Sequence, residues 1–211
     1  GARDTLFRRL SYVSISRQDF LRDYLLFPKF NQILEKHLFA KLSTNHKISQ
    51  YLGADKTNML AYRSAGGRYW KIVLNRPFAN DSTSNKIKFL SSEISSFELV
   101  SILNSNLFWW YYVNFFDLYN FGDYMIFHFL YESNGGEEST ALTQYGRDLM
   151  ASYEANKVEN TQFIKSKQHL SVFESFNPSK SKPIIDEIDK VLAKHYGFTD
   201  EELDFIINYD I

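Results

Sequence analysis

Residues 95–116 read SSFELVSILNSNLFWWYYVNFF, and the fold has to be built around this stretch. From position 99 to position 116 it carries no formal charge, and most of its side chains are aliphatic or aromatic. Ser95 and Glu98 have the spacing of a capping box, which marks the first turn of a helix. The pattern therefore predicts an aromatic-rich, buried helix over about 97–115, against which the other elements pack.

A run of this length without charge is also about as long as a membrane span. However, the run contains polar side chains that are costly to place in hydrocarbon. They are Ser101, Asn104, Ser105, Asn106 and Asn114. The sequence therefore favours a buried helix over a membrane span.

The composition of the 211 residues is that of a folded protein, with 44% hydrophobic and 23% charged side chains. Aromatic content is high at 17%, which leaves rings available for stacking on bases or on a protein partner. There is no cysteine, so disulfides, thiolate zinc sites and a cysteine nucleophile are excluded. The same absence fits a reducing compartment, and we expect a cytoplasmic protein.

On both sides of the central run, short β-prone runs alternate with helical periods. The runs predict strands over 11–16, 58–63, 68–74, 86–90, 123–131 and 168–174. Helical spacing predicts helices over 30–43 and 142–156, and the acidic stretch 134–140 is predicted to be an exposed loop. These elements predict an α+β fold, in which helices pack on a small, mostly antiparallel sheet.

A pair of helices is predicted at the C-terminal end. Pro183 suits the first turn of the first helix, Gly197 suits its end, and Thr199 with Glu202 forms a capping box for the second. We therefore divide the chain into a mixed α+β recognition domain, 1–182, and a C-terminal helical pair, 183–211, packed on it. Because this pair is acidic, phosphates would repel it, and a packing role is predicted for it.

The net charge is only −1, but the charges are unevenly distributed along the chain. Residues 1–90 contain 16 Lys and Arg against 6 Asp and Glu, whereas residues 91–211 contain 8 against 19. A split of this size predicts one basic face for a polyanion and one acidic face for solvent or a protein. The alternative is that the two halves mix in the folded protein.

The sequence contains no recognisable catalytic constellation. It lacks a G-x-G-x-x-G loop, a phosphate-binding G-K-[ST] loop and a G-x-S-x-G nucleophile turn. Five histidines are scattered without the spacing of metal ligands, at His37, His46, His128, His169 and His195. We therefore predict no catalytic, cofactor-binding or metal-binding residue in this chain.

A binding surface is predicted instead at the hairpin 58–74. Arg63, Arg68 and Lys71 bracket its Gly-Gly turn, and aromatic residues, including Trp70, are interleaved with them. A two-stranded ribbon fits the major groove of DNA, where arginine can bind guanine with two hydrogen bonds. The alternative is a surface hairpin whose charges are simply solvated.

Other lysines are predicted to hold phosphates, which positions DNA without reading its sequence. Lys86 and Lys88 alternate with apolar residues and so lie on one face of the predicted strand. A second basic strip flanks the last predicted strand and consists of Lys165, Lys167, Lys180 and Lys182.

Three segments carry a resemblance to a known family. The ending SFNPSKSKPIIDEIDKVLAKHYGFTDEELDFIINYDI closely resembles the C-terminal signature of type IIG N-6 adenine DNA methyltransferases, which share a TaqI-like specificity domain. AYRSAGGRYWKIVL, at 61–74, is similar to a recurrent hairpin of that family. SILNSNLFWWYYV, at 101–113, is similar to one of its helices. Together these segments span roughly 58–211.

The resemblance implies a two-part parent protein. Its catalytic domain would bind S-adenosylmethionine and carry an Asn-Pro-Pro-Tyr motif that holds the extruded adenine. The present chain lacks that motif, since residues 177–179 read Asn-Pro-Ser. We therefore expect the target-recognition part of a bacterial restriction-modification protein, with double-stranded DNA and its own catalytic domain as partners. The parent could also carry an endonuclease.

Two other functions remain open from the residues alone. The chain could be an interaction module that docks the methyltransferase on another subunit, which its acidic half favours. It could also be an unrecognised enzyme such as a nuclease, although no catalytic constellation supports this.

Overall fold

The computed structural model describes residues 12–21, 26–53, 58–65, 70–79, 86–164 and 169–209. Within these ranges the α+β class is confirmed. The helices are α1 Ile33–Leu42, α2 Ser96–Leu103, α3 Asn106–Phe115, α4 Asp123–Phe127, α5 Glu137–Asn156, α6 Lys182–Tyr196 and α7 Asp200–Ile207. The strands are β1 Met59–Arg63, β2 Val73–Leu74, β3 Ile87–Ser91, β4 Val158–Ile164 and β5 His169–Ser175.

The larger sheet has the strand order β2-β1-β3 and is antiparallel throughout. Tyr62 of β1 lies opposite Val73 on one side and Lys88 on the other. Leu60 and Ala61, like Tyr62, are fully buried, as expected for a central strand. The antiparallel pairing of the predicted hairpin strands and the strand at 86–90 are confirmed, although β2 is only two residues long. The predicted Gly-Gly turn lies outside the described residues.

The other sheet is a two-stranded ribbon of β4 and β5. Its register runs from Val158 opposite Ser175 to Ile164 opposite His169. The predicted strand at 168–174 is therefore confirmed, whereas its partner at 158–164 was not predicted from the sequence.

The central run forms two helices, so the prediction of a single helix over 97–115 is wrong. Helix α2 ends before Asn104, whose side chain donates to the carbonyl of Val73 (2.8 Å) and accepts from its amide (3.1 Å). Ser105 is extended and caps α3 by accepting from the amide of Phe108 (3.0 Å). The chain turns here because Asn104 binds the edge of the sheet and Ser105 starts a new helix.

Three further local predictions are wrong. Residues 123–131 are not one strand, because α4 starts at Asp123, and only a bridge between Leu130 and Lys47 is extended. The acidic stretch 134–140 is not entirely a loop, because Glu137 and Glu138 form the first turn of α5, where negative charge is favoured. Residues 12–16 form no strand.

The C-terminal helical pair forms as predicted. Gly197 ends α6 in the left-handed conformation (φ 66°), and the Thr199–Glu202 capping box starts α7. Ile185, Ile188 and Leu192 belong to the same hydrophobic core as α2 and α3, so the pair packs on the rest of the fold. Among the helices that the structure describes, we find none with the length and apolar character that a membrane crossing requires.

Candidate nucleic-acid interface

Two of the predicted binding residues, Arg63 on β1 and Lys88 on β3, lie near one end of the larger sheet. There, the amide of Ser64 donates to the carbonyl of Lys86 (2.9 Å), and the amide of Phe121 donates to the carbonyl of Ser64 (2.9 Å). Ala65 also forms a bridge with Asn120. We call residues 117–122, which lie beside the end of β1 at this point, the sheet-end loop.

Lys88 is joined to the first residue of α4, directly after the sheet-end loop, by an ion pair. Its Nζ lies 3.1 Å from Oδ1 of Asp123, which also accepts a hydrogen bond from the hydroxyl of Tyr62. Burial raises the pKa of Asp123, but the hydrogen bonds from Tyr62 and Lys88 outweigh it and lower the pKa overall. Lys88 shares a strand face with the buried Leu90, so this face points toward the core and the lysine is only partly exposed.

Lys71 is a buried support rather than a surface cation, with only 6% of its area exposed. Its Nζ donates to the carbonyl of Leu118 (3.5 Å) and lies 5.5 Å from the centre of the Tyr112 ring. Burial lowers the pKa of Lys71 to about 8, against the opposing effect of Asp117. The prediction that Lys71 reads a groove therefore conflicts with its position beneath the loop.

Arg63 is half-buried and is directed toward the ribbon. Its guanidinium donates to the backbone carbonyl of Glu174 on β5 (3.0 Å) and lies 4.5 Å from the centre of the Phe78 ring. These contacts join the larger sheet to the base of the ribbon. Arg63 thus has a structural role that the spacing of charges in the sequence did not indicate.

The remaining predicted residues are spread over different parts of the surface and the core. The ring of Trp70 lies 5.4 Å from that of Trp109 and packs against the core. Lys182 donates to the carbonyl of Ile207 (2.7 Å) and pairs with Asp186, so it fastens α6 to α7. Lys86 and Lys180 are exposed. Arg68, Lys165 and Lys167 lie outside the described residues.

The two oppositely charged parts of the sequence meet in ion pairs. Lys41 on α1 lies 2.6 Å from Glu202 on α7. Arg76 binds Glu174 with two hydrogen bonds of 2.8 and 2.9 Å, and it also pairs with Glu154. These contacts neutralise cations of the basic half, as the alternative of mixing predicts, and they reduce the positive charge available to DNA.

The sheet-end loop has a strained backbone that sequence reasoning missed. Leu118 has a φ of 67°, in the left-handed region that residues with a bulky side chain rarely enter. The carboxylate of Asp117 accepts from the amides of Tyr119 (2.9 Å) and Asn120 (3.0 Å) and from the side-chain amide of Asn120 (2.8 Å). Asp117 and Asn120 are of residue types that are typical of turns, and this was the sequence signal that could have indicated the loop.

In the ranges that the structure describes, no three histidine or acidic side chains are placed to hold a metal ion. Comparison of the chain with protein-family models, with curated proteins and with solved structures finds no match. The geometry of the described residues and the resemblance of three segments are therefore what a functional proposal can use.

Proposed function

We propose that this chain is the DNA target-recognition domain of a bacterial, cytoplasmic N-6 adenine methyltransferase of the restriction-modification type. In this proposal the domain binds double-stranded DNA, and S-adenosylmethionine binds to a separate catalytic domain. The chain itself catalyses no reaction.

The observation that carries the proposal is that the three family-like segments contact one another through buried hydrogen bonds. Asn104 of the helix segment binds the backbone of Val73 in the hairpin segment. Asp189 of the ending accepts from the amides of Asn106 (3.1 Å) and Leu107 (3.1 Å) in the helix segment. These contacts and a common hydrophobic core join the three segments in one folded unit, which supports reading them together as one domain.

The same contacts assign a structural role to the family-like residues, so DNA contact falls to side chains around them. Among the described residues these are the exposed Lys86 and the partly exposed Lys88. Arg68, which follows the two glycines in the sequence and lies outside the described residues, is kept as a candidate from the sequence. The lysines would contact phosphates, and an arginine in a turn could reach a base edge. Arg63 is a poor target for mutation, because its replacement would also remove a contact between the larger sheet and the ribbon.

The test is binding of a labelled duplex library, measured by fluorescence anisotropy between about 50 and 200 mM salt. The wild-type chain should lose affinity steeply as salt rises, because each phosphate contact releases counterions. Lys86→Gln and Arg68→Gln should each weaken binding, and each lost phosphate contact should flatten the log–log salt slope by about 1.

Lys190→Gln is the matched control, since Lys190 is an exposed lysine on α6, where it pairs with Glu187. This control should bind the library like the wild type. Binding without salt dependence would overturn the assignment to DNA. A steep slope that neither Lys86→Gln nor Arg68→Gln alters would place the DNA on another surface.

The second candidate is an interaction module, and one observation favours it specifically. On one face of the ribbon, Phe163, Leu170 and Val172 are 55%, 66% and 37% exposed, which is typical of a surface that contacts a protein. A docking module would show little salt dependence with the DNA library, so the same titration separates the two functions.

A further inference from the structure

Tyr119 is an exposed aromatic residue on a loop whose other apolar residues point inward. Its side chain is 62% exposed, whereas Phe121 is fully buried and Leu118 packs against the core. An isolated exposed ring is common on protein surfaces and would not by itself indicate a ligand. What distinguishes Tyr119 is how its backbone is held.

Asp117 fixes the backbone of Tyr119 from one side. One carboxylate oxygen accepts from the amides of Tyr119 and Asn120, and the other accepts from the side chain of Asn120. Burial raises the pKa of Asp117, but hydrogen bonds led by those of Asn120 lower it overall, so the carboxylate stays ionised at neutral pH. The turn is therefore closed by a charged acceptor.

Two further contacts fix the loop from beneath and behind. Lys71 donates to the carbonyl of Leu118 (3.5 Å). The hydroxyl of Tyr112 donates to the carbonyl of Asn120 (2.5 Å), and Asn120 forms the bridge with Ala65. These contacts hold Leu118 left-handed, a conformation that a glycine or asparagine would adopt with less strain.

Backbone strain of this kind persists only where the surroundings impose it, and it concentrates at sites that contact ligands. Here the strained residue directly precedes an exposed aromatic ring, in a segment that pairs with Ser64 and Ala65 just beyond β1. Aromatic rings held in this way are the usual platforms on which nucleobases stack.

We propose that Tyr119 is a nucleobase-stacking residue, and that Asp117 and Lys71 are positioning residues that hold it in place. This inference rests on the proposed function, because it requires DNA at the sheet end. The ligand is a base that has left, or partly left, the stack of the duplex.

The experiment compares two probes of the same sequence, a regular duplex and a duplex with one unpaired base. Tyr119→Ala should weaken binding of the second probe about tenfold or more, and binding of the regular duplex less. Tyr119→Phe should restore most of the affinity that Tyr119→Ala loses, because the ring is retained. Tyr12→Ala, at a site 87% exposed on another segment, is the control and should bind both probes normally.

Hydrogen exchange measures the positioning role without DNA. Asp117→Ala and Lys71→Met should speed exchange of the amides of Tyr119 and Asn120 and weaken binding of the unpaired-base probe. Unchanged exchange in both variants would overturn the positioning role. If the wild type binds DNA and Tyr119→Ala binds each probe as tightly as the wild type does, the stacking role is refuted and the proposed function is not. If the wild type binds neither probe, the proposed function fails and this inference fails with it.

Discussion

Replacing Asn104 by alanine tests the contact that joins the central helices to the sheet. β2 lies at the edge of the sheet, and the amide and carbonyl of Val73 meet the Asn104 side chain there. Both residues are fully buried, so Asn104→Ala leaves these two backbone groups without partner or water. Each such group costs about 1–3 kcal/mol, which predicts a loss of about 2–6 kcal/mol in the free energy of unfolding.

The carbonyl of Val100 also accepts from the Asn104 side chain (2.8 Å), but it keeps the backbone amide of Asn104 as a donor (3.2 Å). The loss of this bond therefore adds nothing to the predicted decrease in the free energy of unfolding. Because small domains are stable by only about 5–15 kcal/mol, the predicted loss is a large part of the total.

The assay is urea unfolding followed by circular dichroism, with Asn160→Ala as the control. Asn160 is exposed on β4, and its replacement should change the free energy of unfolding by less than about 0.5 kcal/mol. Asn104→Asp should be at least as damaging as Asn104→Ala, since it removes the donor and directs a charge at the carbonyl of Val73. A loss below about 1 kcal/mol in Asn104→Ala would refute the reasoning, because it would mean that the edge of β2 finds other partners.

Two other predictions concern the packing of helices. Burial raises the pKa of Asp189 to about 7, even though amides of α3 and the side chain of Asn106 donate to it. The folded state then holds one more proton than the unfolded state between about pH 4 and 7, so this group's contribution to stability falls as pH rises through that window. Asp189→Asn should lack this fall. Between pH 5 and 8 its free energy of unfolding should therefore decrease by about 3 kcal/mol less than that of the wild type, since the fall extends over about 2 pH units at about 1.4 kcal/mol each. Gly146 lets α5 approach α2 closely, since an added Cβ would lie 1.9 Å from the carbonyl oxygen of Phe97. Gly146→Ala should cost about 3 kcal/mol in urea unfolding despite its better helix propensity, and a neutral or stabilising result would contradict the close approach.

The elements that could be predicted from the sequence are those whose signals are local. The C-terminal pair was predicted from the position of Pro183, the glycine at 197 and the Thr199–Glu202 capping box, all of which act within one helical turn. The strands at the hairpin and at 86–90 were predicted from β-prone runs for the same reason. The break at Asn104 could not be predicted in this way, because its cause is a strand edge 31 residues away in the chain.

The candidate interface was predicted less completely than the fold. Charge counts identify basic residues, but they do not say which distant carboxylate or carbonyl each will meet. Lys71 and Arg63 have structural roles because the fold places the carbonyl of Leu118 beside Lys71 and the carbonyl of Glu174 beside Arg63. Tyr119 was missed because the sequence contains 14 tyrosines and no sequence signal sets this one apart from the others.

By itself, the sequence determined the α+β class and the boundaries of the two C-terminal helices, because periodicity, caps and turn residues act over a few positions. Only the tertiary structure decided that the three family-like segments join through Asn104 and Asp189, and which of the predicted cations stay exposed. Both outcomes depend on contacts between residues far apart in the chain, where burial makes an unpaired polar group costly and so selects its partner.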